Sequence, residues 1–300
     1  MATGAGIEEA VQGAERVVHL AATLFSRTAA GFDDVNHGGT RRLSAALAAL
    51  PRPPRLVLCS SLAAAGPAGP SGRPSGPISH YGRSKHAGEA AVRAHAPRLP
   101  AVILRPGIVY GPGDPALVPA LLPMLRVGLA LKAGLGPRVY SAVHVDDLCG
   151  ALLAAAERGT VVGSGDRDAG PDAEADADAE AGPAPAPAPD AGVYVISDGA
   201  RYTWRDICST LAEAARLPHP VLLPVPMPLV HAVAAVSELL VRDRVPALNR
   251  DKAREMSHGD WTCGLGSGLE RSRRELGFSP ALSLRDAFTA PALRLGHELG

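Results

Sequence analysis

Three short apolar runs, Arg16-Val-Val-His-Leu20, Arg55-Leu-Val-Leu-Cys59 and Ala101-Val-Ile-Leu104, punctuate the first part of the chain, and the gaps between them are far too long for hairpins. Stretches around Asp34 to Leu50 and Tyr81 to Ala96 fill those gaps, with alanine and leucine recurring at helical spacing. Strands apolar on both faces and joined through helices belong in a parallel sheet covered on both sides. The expected class is therefore α/β, a doubly wound parallel sheet. Ligands of such sheets bind beyond the carboxyl ends of the strands, so the residues just after each run are the ones to inspect.

From Thr160 to Gly192, beyond the Val161-Val162 pair, acids alternate with alanine, then alanine with proline, without any large apolar residue. Such a stretch cannot bury enough surface to offset its ordering entropy, and it reads as a disordered insertion. Strand character returns at Val193-Tyr-Val-Ile196. Helices follow over Thr203 to Arg216, Pro228 to Val241, Asn249 to Met256, Gly268 to Leu276 and Ser283 to Glu298. Three parts result: a Rossmann-like catalytic domain over 1–160, of which 106–140 contributes partly to the substrate side; the acidic insertion over 161–192; and, over 193–300, the last sheet strand with a smaller, mainly helical substrate-binding domain.

Formal charge is zero, which points to no nucleic acid partner, and eight acids between Val161 and Gly192 against Arg167 alone leave a mild positive excess elsewhere. That excess suits an anionic ligand such as a dinucleotide. The four cysteines lie far apart without a CxxC, so neither a metal site nor a disulfide framework is expected, and a cytoplasmic location follows. The start, MATGAGIEEA, lacks a basic and apolar leader pattern, and the apolar helix Leu229 to Val241 is too short to span a bilayer, so no membrane partner is expected. The run Val221 to Val230 and the helix after it read as lid-domain core, with an apolar pocket wall as the alternative.

The sharpest local feature is Tyr81-Gly-Arg-Ser-Lys85, at the start of a helix. With five tyrosines and three lysines in 300 residues, chance supplies about 0.05 pairs at this spacing. Residues four apart share a helix face, and an ammonium beside a phenol favours the phenolate, which makes tyrosine usable as a general acid and base. Ser61, at the end of the preceding strand, stands where its hydroxyl can bond the substrate oxygen that Tyr81 protonates. Ser60 competes for that role.

At these residues the chain resembles an extended short-chain dehydrogenase/reductase of the NAD-dependent epimerase/dehydratase family. Val-Val-His19-Leu-Ala-Ala22 is similar to the family's strand end against the cofactor, and Val35-Asn36-His-Gly-Gly39-Thr40 to its Asn-x-x-Gly-Thr helix start. Leu58-Cys-Ser-Ser61 resembles the strand that delivers the catalytic serine. Leu104-Arg-Pro-Gly107-Ile-Val-Tyr-Gly-Pro-Gly-Asp114 resembles the loop passing the nicotinamide, and Val143-His-Val-Asp-Asp147 the segment opening the next helix. The resemblance implies that Tyr81 is the acid/base, Ser61 its partner and Lys85 the residue that also holds the nicotinamide ribose. It further implies that His19, Ala21, Ala22, Pro106, Gly107 and Ile108 border NAD or NADP. Asp146 is expected to cap its helix, with His144 packed and hydrogen-bonded, and Asn36 to be a structural hydrogen-bonder. The segments Asp198 to Trp204 and Asn249 to Lys252 look closer to 3β-hydroxysteroid dehydrogenases than to nucleotide-sugar epimerases.

The family opens with a strand and Gly-x-x-Gly-x-x-Gly, which this chain lacks: Thr3-Gly-Ala-Gly6 has no strand before it, and Ile7 to Ala14 reads as a helix. Weak dinucleotide binding, an exposed edge on the His19 strand and an unreadable choice between NAD and NADP are the expected consequences. The expected activity is NAD(P)-dependent hydride transfer at a secondary alcohol or ketone of a small molecule, by a homodimer. The alternatives are a nucleotide-sugar epimerase or dehydratase and, from another class, a catalytically impaired Rossmann-like binding protein or truncation product. Deleting about Asp166 to Pro189 should change the unfolding free energy by less than about 1 kcal/mol in urea unfolding, because closure entropy varies slowly with loop length.

Overall fold

The computed structural model describes residues 3–69, 71–163, 190–241, 245–262 and 266–289. Its main sheet has four parallel strands in the order Arg16–His19, Arg55–Cys59, Ala101–Pro106 and Val193–Ile196. His19 lies opposite Leu58, Cys59 opposite Leu104 and Pro106 opposite Ile196, so the carboxyl ends emerge together.

Period-two alternation puts one set of strand residues on each face. Leu56, Leu58, Ala101 and Ile103 pack with Leu43, Leu47 and Val92 of the helices Thr40–Ala49 and His80–Arg93. Val57, Val102 and Leu104 pack with Leu148, Leu152 and Leu276 of Val145–Glu157 and Ser267–Leu276. Both faces are covered, which is why the strands read as continuous apolar runs.

The helix expected over 34–50 is not uniform. It runs as Ala29–Phe32, then a π-helical stretch Asp33–Gly39, then Thr40–Ala49. The Asn36 carbonyl at the wide turn accepts the Thr40 hydroxyl at 2.6 Å, and the Asn36 side chain is 2% exposed. Side-chain hydrogen bonding of this kind competes with the regular ladder and opens it. The helix expected over Ile7 to Ala14 shrinks to the single turn Ile7–Ala10. The insertion expected over 161–192 falls mostly on 164–189, outside the described residues, but its start is core, since Val162 is buried with Leu99 and Val193 and donates its N–H to the Ala101 carbonyl; the last expected helix is described as Leu284–Thr289.

A second group of elements surrounds the core of Tyr110, Leu121, Leu125, Ile207, Leu211 and Leu284. Ile108–Tyr110 pairs with Ala142–His144, and Leu129–Ala133 with Val221–Val225. The helix Met227–Leu240 overturns the reading of it as core: it buries Val230 and Ala234 but exposes Leu229, Val233, Val236, Leu239 and Leu240.

What aligns the His80–Arg93 helix with the π-helical stretch is Gly88, where a Cβ would lie 2.7 Å from the Asn36 carbonyl oxygen. Gly88→Ala should cost about 1–3 kcal/mol by overpacking, read as a lower urea midpoint at unchanged denaturant slope.

Candidate active site

The His80–Arg93 helix begins at Ser79, whose side chain accepts the Gly82 N–H at 2.8 Å. Its next two amides donate to one distant carboxylate: His80 N–H to Asp251 Oδ1 at 2.6 Å and Tyr81 N–H to Asp251 Oδ2 at 3.1 Å. The Ser79 hydroxyl donates to Glu255 Oε1 at 2.8 Å. Asp251 and Glu255 come from the helix Arg250–Met256, itself capped by Asn249. Negative charge at a helix N-terminus satisfies orphan amides and suits the helix dipole. The first turn carrying Tyr81 is thus set by the far end of the chain.

Tyr81 stands in the wall of a cavity of about 320 Å³, facing Ser61, Pro106, Gly107 and Ile108. Ser61 follows the Arg55–Cys59 strand, its oxygen accepts the Ala63 N–H at 3.1 Å, and it lines the same cavity as Tyr81. Ser60 also lines the cavity, but its hydroxyl donates to Glu89 Oε1 at 2.6 Å. Of the two competing serines, Ser61 is the one that bears on the phenol, lowering its pKa against the effect of burial.

One turn along, Lys85 is 5% exposed and its ammonium donates to the Cys59 carbonyl at 2.7 Å. Burial lowers its pKa, opposed by Cys59 and Glu89. For Tyr81 the expected lowering is overturned: burial raises the phenol above its ordinary value, the Ser61 hydrogen bond counteracts this, and the Glu255 charge adds to the rise. The reason is geometric, since Lys85 faces the strand carbonyl while the phenol lies against apolar wall. As folded, the tyrosine holds its proton.

The remaining expected positions divide. Pro106, Gly107 and Ile108 do line the cavity, and a Cβ on Gly107 would meet the Ser141 carbonyl oxygen at 2.6 Å, so backbone passes close there. Ala21 and Ala22 are exposed on the loop leaving the first strand, outside the cavity wall, which Leu24 of that loop enters. His19 is buried, with Nε2 at 3.0 Å from the Thr40 hydroxyl; that hydroxyl gives its proton to Asn36, so the imidazole is the donor. Asn36 is structural as expected: its Oδ1 accepts the Thr23 N–H at 2.8 Å, and its Nδ2 donates to the Thr23 carbonyl and Ser84 Oγ, each at 3.0 Å. At the Val145–Glu157 helix the cap is His144 rather than Asp146: its Nδ1 accepts the Asp146 N–H at 3.3 Å, and among the described residues its buried Nε2 has no partner.

Sequence reasoning missed Glu89, Arg105 and Asp251. Glu89 is 1% exposed and takes Arg105 in two bonds, Nε at 2.9 Å and Nη2 at 2.6 Å. A signal existed, because Glu89 lies four residues beyond Lys85 and eight beyond Tyr81 on the same helix face. Asp251 fell within the Asn249 to Lys252 segment already singled out, but nothing there pointed to Tyr81, 170 residues away.

The family model for the NAD-dependent epimerase/dehydratase family matches residues 3–167. A ceramide reductase of Caulobacter vibrioides is 30% identical over 266 residues, covering 87% of this chain and 70% of that protein. A 4-hydroxy-2-methyl-3-oxo-4-farnesyl-3,4-dihydroquinoline-1-oxide ketoreductase of Stigmatella aurantiaca is 30% identical over 162 residues, 51% of this chain and 48% of that protein. The chain thus spans about half the length of the second relative. Among solved structures, a UDP-glucuronic acid 4-epimerase from Bacillus cereus, in complex with UDP-glucuronic acid and NAD, superposes with TM-score 0.63 at 19% identity, covering 97% of this chain and 78% of that one.

Burial, helped by the Lys85 charge, lowers His19 from 6.5 to about 4. The unfolded chain therefore binds this proton more readily, and the stabilisation from a neutral His19 is complete above pH 6.5 and lost as pH falls from 6.5 towards 4. The loss should reach about 3 kcal/mol in urea unfolding across that window, and His19→Gln should flatten it.

Proposed function

Because this chain belongs to the NAD-dependent epimerase/dehydratase family, we propose that it serves hydride transfer at a ketone or secondary alcohol, with Tyr81 as the proton carrier. The observation that supports this best is that Tyr81 and Ser61 both line the cavity beyond the strand ends. A ketone oxygen entering between those two hydroxyls meets two donors. Tyr81, whose raised pKa keeps it protonated, supplies the proton as the oxygen gains charge, and Ser61 holds that oxygen in line.

The donor set fits a nicotinamide cofactor. Lys85 is buried yet bonds a single acceptor among the described residues, Cys59, so two of its N–H donors are open to a sugar diol. NAD or NADP bound there supplies or accepts the hydride. Pro106, Gly107 and Ile108 would border it at the cavity, and the first strand's end at His19, Ala21 and Ala22 would run alongside, with Asn36 fixing the neighbouring Thr23.

An epimerase would use the same groups, and the cavity wall favours the reductase. Among the described residues Asp114 is the one carboxylate in that wall, its oxygens accept the amides of Ala116, Leu117 and Val118, and neither lysine nor arginine joins it. A nucleotide diphosphate calls for cationic forks, whereas an apolar ketone does not. Both relatives named above are reductases of large, partly apolar molecules, which supports a substrate of that class.

With NADH or NADPH and a long-chain apolar ketone, the chain should consume reduced cofactor. Tyr81→Phe should slow that consumption on the order of 10²- to 10⁴-fold with circular dichroism unchanged. Turnover of a nucleotide sugar without net cofactor oxidation would overturn the reading.

A further inference from the structure

We propose that the exposed apolar face built from the Val221–Val225 strand and the Met227–Leu240 helix docks on an anionic lipid bilayer surface and holds the cavity mouth against it. The purpose of such docking rests on the apolar-ketone reading above, but the docking has its own test.

The face is continuous by construction. Val221 and Leu223 alternate onto one side of their strand, and Leu131 is the register partner of Leu223, so the three share that side. Val225 and Ala133, at the other end of the same side, pack under Val230 and Ala234. The helix thus covers one end of the strip and adds its own outward stripe, Leu229, Val233, Val236 and Leu240. All seven outward side chains are 40–73% exposed. Apolar groups gathered on this scale mark an interaction site more often than bare surface.

Charge distribution identifies the occupant. Between Val221 and Val241 the only carboxylate is Glu238, and it pairs with Arg250 at 3.5 Å; no lysine or arginine interrupts the stretch. Cations sit instead at the border. Arg126 precedes Val127, itself 70% exposed, at the turn where the Gly128 carbonyl receives the Val221 N–H, and Arg216 lies just ahead of the strand. Both are exposed, and among the described residues neither forms an ion pair. An apolar face with a cationic border matches acyl chains beneath anionic headgroups.

The face also leads to the site. Arg27 donates to the carbonyls of Glu238 and Val241, joining the end of the helix to the loop that carries Leu24 and Phe25. Both of these are exposed, and Leu24 also lines the cavity. The sequence argued against a membrane partner because no segment is long enough to span one, and surface docking needs no span.

The experiment is co-sedimentation of the full 300-residue chain with vesicles of phosphatidylglycerol and phosphatidylcholine, alongside vesicles of phosphatidylcholine alone. The chain should pellet with the anionic vesicles, less so with the neutral ones. Leu223→Glu with Val236→Glu should cut the bound fraction at least about tenfold, with the thermal midpoint confirming a folded variant, and the border change Arg126→Glu should weaken binding without touching the apolar face. Failure to pellet with anionic vesicles would overturn the proposal. So would a vesicle-independent dimer in analytical ultracentrifugation that the double variant dissociates. If vesicles bind but no ketone is reduced, the docking stands and the reductase reading falls.

Discussion

A buried carboxylate bolts the helix bearing Tyr81 to the centre of the sheet. Glu89, almost wholly out of water, receives Arg105 in two parallel bonds and Ser60 in a third, so helix, strand and strand-end loop meet at one side chain. Removing one partner of such a pair leaves an uncompensated charge and costs about 3–5 kcal/mol, although an apolar replacement of the whole pair can be neutral. Its value lies in geometry more than in stability. Arg105 precedes the Pro106 and Gly107 of the cavity wall, and Glu89 is one turn from Lys85, so sliding the helix along the sheet would break the network and misalign the site together.

The sheet was legible because its information is local and redundant. Each strand is a contiguous apolar run, and a parallel sheet buried on both faces tolerates few other readings of Arg55 to Cys59 or Ala101 to Leu104. The Tyr81 and Lys85 spacing was equally visible, as was Ser61 at a strand end. What those side chains do to one another was not. The lysine turns to a backbone carbonyl rather than to the phenol, and whether burial outweighs charge is a matter of ångströms that spacing alone does not carry.

The π-helical stretch was hidden for a different reason. Its cause is a pair of side-chain bonds, Thr40 to Asn36 and Asn36 to Thr23, and periodicity averages over such local competition. The Met227–Leu240 helix escaped because apolar residues surround most of its circumference, a pattern that reads as burial wherever the neighbours are unknown. Composition determines what a helix can cover, and the remainder of the chain determines what covers it.

The carboxylate of Asp251 at the start of the Tyr81 helix has a consequence in time. Its bond to the His80 amide closes a separation of 171 residues, so that contact comes late on any route that forms local structure first. On a ribosome, the first three strands and the helices up to Glu157 can assemble while the turn presenting Tyr81 still has bare amides. The proton-bearing corner would then take its final shape only after the Arg250–Met256 helix emerges, and a partly synthesised chain would expose a recognisable fold before it offered a finished site.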